Sequence, residues 1–228
     1  MRINKYVALA TGMSRRGADE AISDKRLSVN GQVALTGQEV AENDKVTLDS
    51  QPITLPKVLQ TVVLNKPVGY VCSREGQGSK TIYDLLPPEL HHLKPVGRLD
   101  KDSSGLLLLT NDGDLAHQLT HPSSQKEKVY VVVLGKPLTE GDKHKIEKGV
   151  QLEDGISSLQ LTVDSKQRDK TISRQLLAVN YFVRMHEGRN RQIRRTFEAV
   201  GNSVEKLHRT QFGPYSLEEL PLEKYRVL

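Results

Sequence analysis

Asp100 stands between Arg98 and Lys101 in the segment Gly97-Arg-Leu-Asp-Lys-Asp-Ser-Ser-Gly-Leu-Leu-Leu-Leu-Thr-Asn-Asp-Gly. It falls in a loop just ahead of the apolar run Leu106–Leu109. Positive charge beside a carboxylate favours its ionised form, and the ionised form is the one a nucleophile needs. A plainer reading fits the same residues. An Asp or Ser caps the turn before a core strand, and Asp102, Ser103 and Ser104 could all play that part.

A second segment, Met185-His-Glu-Gly-Arg-Asn-Arg-Gln-Ile-Arg-Arg-Thr-Phe, is rich in cations. Arg184, Arg189, Arg191, Arg194 and Arg195 fall within twelve residues, opposed locally only by Glu187. Such a cluster can clamp phosphates or orient one carboxylate through two parallel hydrogen bonds. It could also be a solvated helix face. Tyr130, in Lys126-Glu-Lys-Val-Tyr, offers a stacking face for a base, or is a half-buried strand tyrosine. His117 and His121 are four apart, but there is no HExxH or CxxC pattern, so no metal is expected. GxGxxG, GxxxxGK[ST] and GxSxG are all missing, which argues against a nucleotide cofactor and a serine-hydrolase elbow. Cys72 has no distinctive pattern and reads as a small buried hydrophobe.

The elements that must hold these residues are legible in part. Ile3, Tyr6, Val7 and Ala10 lie on one face of a helix over 2–10, which Thr11-Gly12 ends. Ser14 caps a second helix running to about Asp24. Asn30-Gly31 predicts a tight hairpin between Leu27 and Ala34. Lys45–Leu48 reads as a strand, and the stretch from Asp49 to Lys57, with Pro52 and Pro56, reads as a linker. Strands follow at 62–64, 129–134, 160–163, 176–179 and 181–185, with helices at 114–120, 140–148 and 191–200. On the last helix Arg191, Arg194 and Arg195 would share one face, and Ile193 and Phe197 the core side. Strands clustered in neighbouring hairpins predict an α+β domain on a mixed, mainly antiparallel sheet flanked by helices.

The chain has 228 residues and a formal net charge of +5. With 36% hydrophobic and 27% charged residues it is a globular composition. No apolar run approaches the roughly 20 residues of a membrane span, and the first residues show no signal peptide. One cysteine excludes an internal disulfide and fits a cytoplasmic setting. The positive charge is local: Arg2, Lys5, Arg15, Arg16, Lys25 and Arg26 gather in the first helical region. A polyanionic partner is therefore in view.

Met1-Arg-Ile-Asn-Lys-Tyr, Ser14-Arg-Arg, Ala21-Ile and Val29-Asn-Gly together resemble the S4 RNA-binding domain. The remainder resembles the S4-containing pseudouridine synthases that modify ribosomal RNA. The matching motifs are Asn65-Lys-Pro-Val-Gly, the Asp100 segment, His121-Pro with Lys128-Val-Tyr, Glu187-Gly-Arg-Asn-Arg-Gln-Ile-Arg-Arg, and Leu207-His-Arg-Thr-Gln-Phe-Gly-Pro-Tyr-Ser-Leu. The resemblance implies an S4 domain of the α-L type over 1–48, a linker over 49–60 and a catalytic domain over 61–228. It implies that Asp100 is the catalytic aspartate, that Tyr130 stacks on the target base and relays a proton, that Arg194 pairs with Asp100, and that Leu109 lines the pocket. RNA contacts would come from Arg2, Lys5, Arg15, Arg16, Lys25 and Arg26, and from Arg98, Arg189, Arg191, Gln192 and Arg195. Isomerising uridine oxidises nothing and needs no cofactor. The implied partner is ribosomal RNA or a pre-ribosomal particle, large-subunit RNA first, met by a monomer with no membrane association. Other readings are an enzyme of small-subunit or transfer RNA, or a non-catalytic ribosome-assembly protein. Thr196 and Phe212 depart from the family pattern, where a methionine and a smaller aliphatic are expected.

Overall fold

The computed structural model describes residues 1–56, 58–163 and 180–228. The expected strand at 176–179 lies outside them. The chain opens with α1 (Ile3–Thr11) and α2 (Arg15–Ser23). Gly12, at φ +78°, ends the first, and the Ser14 hydroxyl accepts a hydrogen bond from the Gly17 N–H to start the second. Four short strands follow: β1 (Leu27–Val29), β2 (Gln32–Val33), β3 (Val46–Leu48) and β4 (Gln51–Ile53), in sheet order β2-β1-β3-β4. Asn30 and Gly31 both take positive φ, as the hairpin requires. Asp49 and Ser50 do the same at +49° and +65°, closing a second hairpin. Residues 51–53 are therefore a strand where the sequence reads as linker. Pro52 is tolerated because β4 is an edge, where its missing N–H breaks no ladder. Ile3, Val7, Ala18, Ile22, Leu27 and Val46 form the centre of a cluster that belongs to this unit alone.

The second unit is a large sheet. Its strands are β5 (Thr61–Lys66), β6 (Lys94–Val96), β7 (Ser104–Thr110), β8 (Lys128–Leu134), β9 (Val150–Leu152), β10 (Gly155–Ser157), β11 (Gln160–Val163), β12 (Asn180–Met185), β13 (Val204–Phe212), β14 (Tyr215–Ser216) and β15 (Tyr225–Val227). The main path runs β11-β12-β8-β13-β7-β5-β15, with β6 on β7 and β14 on β13. The hairpin β9–β10 stands apart. Among the described strands only β13 and β7 pair in parallel, so the sheet is mixed and mainly antiparallel, as expected. The helices are α3 (Gly113–Thr120), α4 (Glu140–Lys148) and α5 (Gln192–Glu198).

The apolar run Leu106–Leu109 is explained by burial on both faces of β7. Leu107 and Leu109 join a cluster with Ile146 of α4 and Phe197 of α5, while Leu106 and Leu108 join one with Leu119 of α3 and Phe212. Each fully buried leucine contributes about 2 kcal/mol of transfer free energy. Leu109 thus serves the core. The strand β13 has no simple alternation in its sequence, Val-Glu-Lys-Leu-His-Arg-Thr-Gln-Phe, and two register shifts against β8 break what alternation there is.

Gly105 is where β7 and β13 meet. A Cβ there would sit 2.2 Å from the Arg209 carbonyl oxygen and 2.5 Å from its nitrogen, and its φ is +108°. Gly105→Ala should therefore destabilise the protein by more than about 3 kcal/mol, overpacking and backbone strain acting together. Thermal unfolding checks this; a shift within a degree or two of wild type would mean that β13 does not approach β7 as described.

Candidate active site

The loop carrying Asp100 is tied to the sheet by a lysine. Lys66 ends β5 fully buried, and its ammonium donates to three carbonyl oxygens: Pro67 at 3.0 Å, Asp100 at 3.0 Å and Ser103 at 2.7 Å. All three donors are used. Burial pushes the ammonium below its ordinary range, opposed by the negative charges of Asp100 and Asp102. Cys72 adds a second tie through Leu99, its Sγ lying 3.3 Å from the carbonyl oxygen. Burial raises its thiol pKa, so it is a packing residue beside the loop.

The Asp100 side chain is 30% exposed and lines an open cleft of about 1120 Å³. Tyr130 of β8, Arg191, Arg98 and Arg209 line the same cleft. Among the described residues nothing donates a hydrogen bond to the Asp100 carboxylate, and its one ion-pair partner is Arg191, at 3.9 Å. Tyr130 is buried in the wall and packs into the main cluster.

The arginine cluster is arranged differently from its sequence spacing. Arg191 caps α5 from a left-handed conformation, φ +47°, so it lies outside the helix and does not share a face with Arg194 and Arg195. It reaches Asp102 at 2.9 Å. Arg194 is directed inward, its side chain 8% exposed. It donates to the Val204 carbonyl at 2.8 Å and the Asp102 carbonyl at 2.9 Å, and its Nε lies 3.3 Å from the Asp102 carboxylate. The partner of Arg194 is therefore Asp102, not Asp100. The two-residue offset puts Asp102 over the buried helix and leaves Asp100 facing the cleft. Burial opposes ionisation of Asp102, but the Arg191 hydrogen bond and the charges of Arg194 and Arg191 outweigh it, and hold its carboxyl below the ordinary range.

The same geometry recurs at the β9–β10 turn, where Asp154 takes Arg189 at 3.1 Å and Arg195 at 2.7 Å. Arg184 pairs with Glu127 at 3.0 Å. The cluster that looked uncompensated is matched by acids from distant loops. Among the described residues no group of three or more His, Cys, Asp or Glu side chains is placed to hold a metal ion. No described helix is long and apolar enough to cross a membrane.

A sequence profile described as RNA pseudouridylate synthase matches residues 60–199, which hold Asp100, Tyr130 and the arginine cluster. The chain belongs to this family. The synthase is 35% identical to ribosomal large subunit pseudouridine synthase B of Bacillus subtilis (strain 168), over 96% of this chain and 88% of that one. It is 34% identical to ribosomal small subunit pseudouridine synthase A of Pasteurella multocida (strain Pm70), over 100% and 96%. A crystal structure of a pseudouridylate synthase superposes with a TM-score of 0.69 at 32% identity, covering 100% of this chain and 96% of that chain.

The remaining candidate RNA contacts of the synthase divide into free and committed cations. Arg2, Arg15, Arg16, Lys25 and Arg98 are exposed. Lys5 pairs with Asp114 across the two units at 2.7 Å, and Arg26 pairs with Asp49. Gln192 is buried, its amide donating to Ser157 and Glu187, so it holds the arginine loop and is not available to RNA. Thr196 is likewise buried, its hydroxyl bonded to Ser157 and the Gln192 carbonyl at 2.8 Å. Lys66, Asp102 and Arg209 were missed as individual site residues. The available signal was a lysine closing an apolar strand immediately before a proline.

The pairing of Arg194 has a direct test. Stability losses for Asp102→Asn and Arg194→Ala should be non-additive by about 0.5–3 kcal/mol, while Asp100→Asn and Arg194→Ala should add within about 0.5 kcal/mol. Denaturant unfolding of the two double-variant cycles measures both, and the reverse pattern would return Arg194 to Asp100.

Proposed function

We propose that this synthase isomerises a uridine of ribosomal RNA to pseudouridine, with Asp100 as the reacting carboxylate. The observation that carries the reading is the state of that side chain: it faces the cleft beside Tyr130 with no hydrogen-bond donor committed to it among the described residues. A carboxylate already spent on fixed donors is a weaker nucleophile and base; Asp102 is the spent one. In the reaction the N1–C1′ bond breaks, uracil turns as a stabilised anion, and C5 joins C1′. The C5 proton leaves and N1 takes one up, so the product is an isomer. Asp100 either attacks C1′ or removes the 2′ proton. Tyr130 stacks on the base and relays a proton. The target nucleotide must leave its stack to reach the cleft, and the exposed cations at the mouth hold flanking phosphates. Relatives named for both ribosomal subunits support ribosomal RNA as substrate, and large-subunit RNA is the arm we expect.

Asp100→Asn should fold and bind RNA like wild type and lose isomerisation by more than about 10³-fold. Tritium release from 5-tritiated uridine in ribosomal RNA transcripts of both subunits reads the rate and the target together. Substantial release by the folded variant would remove Asp100 from the chemistry, and no release by wild type on either transcript would favour a non-catalytic binder.

Residues 1–53 are proposed to act as an S4-type RNA-binding module joined by a short linker to the catalytic unit. The support is a separate core carrying the exposed pair Arg15 and Arg16 in the first turn of α2. Replacing both with alanine should weaken RNA binding and flatten its salt dependence by about two units of slope. Single-turnover rates at saturating enzyme should stay within about twofold. A collapse of the saturated rate with unchanged affinity would give the module a part in catalysis.

A further inference from the structure

The floor of the cleft holds two cations that no carboxylate among the described residues answers. Arg209 of β13 is 2% exposed. Its Nε donates to the Leu106 carbonyl at 2.8 Å, while its buried Nη2 has no hydrogen-bond partner among the described residues. Lys128 opens β8 and donates to the carbonyls of His186 and Glu187, both at 3.1 Å, which leaves one ammonium hydrogen without a partner among the described residues. Both cations lie over one ring: Phe212 has the Arg209 guanidinium carbon 5.0 Å from its centroid and the Lys128 ammonium at 5.4 Å. All three residues line the cleft.

Of the carboxylates around the cleft, Asp100 has no hydrogen-bond donor among the described residues and pairs with neither cation, its nearest charge being Arg191 at 3.9 Å; the others are committed elsewhere. Glu127 pairs with Arg184, Glu187 with Arg189, Asp154 with Arg189 and Arg195, and Asp102 with Arg191 and Arg194. A ring quadrupole offsets only a small part of two like charges, about 0.5–2 kcal/mol each. A buried donor without an acceptor carries a standing penalty of about 1–3 kcal/mol, more for a charged group. An incoming anion would relieve both. A neutral uracil carbonyl would fill a donor but leave the charge.

We propose that Lys128 and Arg209, held by Phe212, form an anion seat in the floor of the cleft that takes one phosphate group of the RNA at the target uridine. Burial and the charge of Arg209 already press the Lys128 ammonium below its ordinary range, as expected of a cation waiting for a counter-ion. The seat deepens the functional reading above, because the phosphate it takes would fix the nucleotide on which Asp100 acts. Its binding test does not depend on turnover.

The probe is inorganic phosphate, titrated by NMR into the full-length protein at constant ionic strength set with sodium chloride. Asp100→Asn should bind it at least as tightly as wild type, since a neighbouring negative charge is lost, and Lys128→Met should weaken it at least tenfold. Arg209→Lys, which keeps charge without the planar fork, should fall between. With RNA, Lys128→Met should raise KM and leave kcat within a few-fold. Should Arg209→Lys not fold, Lys128→Met alone decides. Phosphate affinity equal in wild type and Lys128→Met, or no saturable binding to either, overturns the seat. So does uridine binding that matches that of uridine 5′-monophosphate, since the donors would then serve the base. Phosphate binding by a protein that proves unable to isomerise uridine would keep the seat and sink the function.

Discussion

The ammonium of Lys66 is the interaction on which the Asp100 loop depends. Three carbonyl oxygens, from Pro67, Asp100 and Ser103, converge on it inside the protein. A buried charge is tolerable only when every donor is satisfied, and here the loop backbone supplies the acceptors. The bend this imposes sets the 97–104 segment across the end of β5. Asp100 then faces the cleft and Asp102, two residues on, faces α5. One anchoring cation thus separates two carboxylates that are near neighbours in sequence into one left free and one fully engaged.

The sheet continues the same arrangement. Lys66 pairs with Gly105, Gly105 with Arg209, and Arg209 with Tyr130, in register across β5, β7, β13 and β8. The anchor, the close backbone contact, the Arg209 guanidinium and the Tyr130 ring form one row. The glycine makes the row possible, because any side chain there would collide with the Arg209 backbone. A single parallel pair in an otherwise antiparallel path brings residues more than a hundred positions apart to one edge of the cleft.

Charge pairing completes the walls. Five arginines packed into the end of β12, the following turn and α5 would repel one another, and the structure answers with Asp102, Asp154, Glu127 and Glu187. The β9–β10 turn is bound to the arginine segment by Asp154, whose carboxyl the Arg195 hydrogen bond holds below the ordinary range. Exposed pairs of this kind contribute little stability each, about 0–1 kcal/mol. Their effect is to orient side chains around a cleft.

Local signals in the sequence determined the helices, the Asn30-Gly31 hairpin, the fully apolar β7 and the prominence of Asp100. Each of these rests on interactions within a few residues, or on an alternation that burial imposes directly. The residues also marked Tyr130 and the arginine segment as candidates, and the family resemblance supplied the roles expected of them. Tertiary structure alone decided that Arg194 meets Asp102, that Arg191 leaves the helix, that Gln192 and Thr196 are buried, and that Lys128 and Arg209 share a ring. Strand β13 was hidden because its bulges break the period that would reveal a strand. The acids that balance the arginines were hidden because Asp102, Asp154 and Glu127 come from other segments. Charge and hydrogen-bond pairing are decided by distance in space, and a spacing along the chain carries that information only within one helix or hairpin.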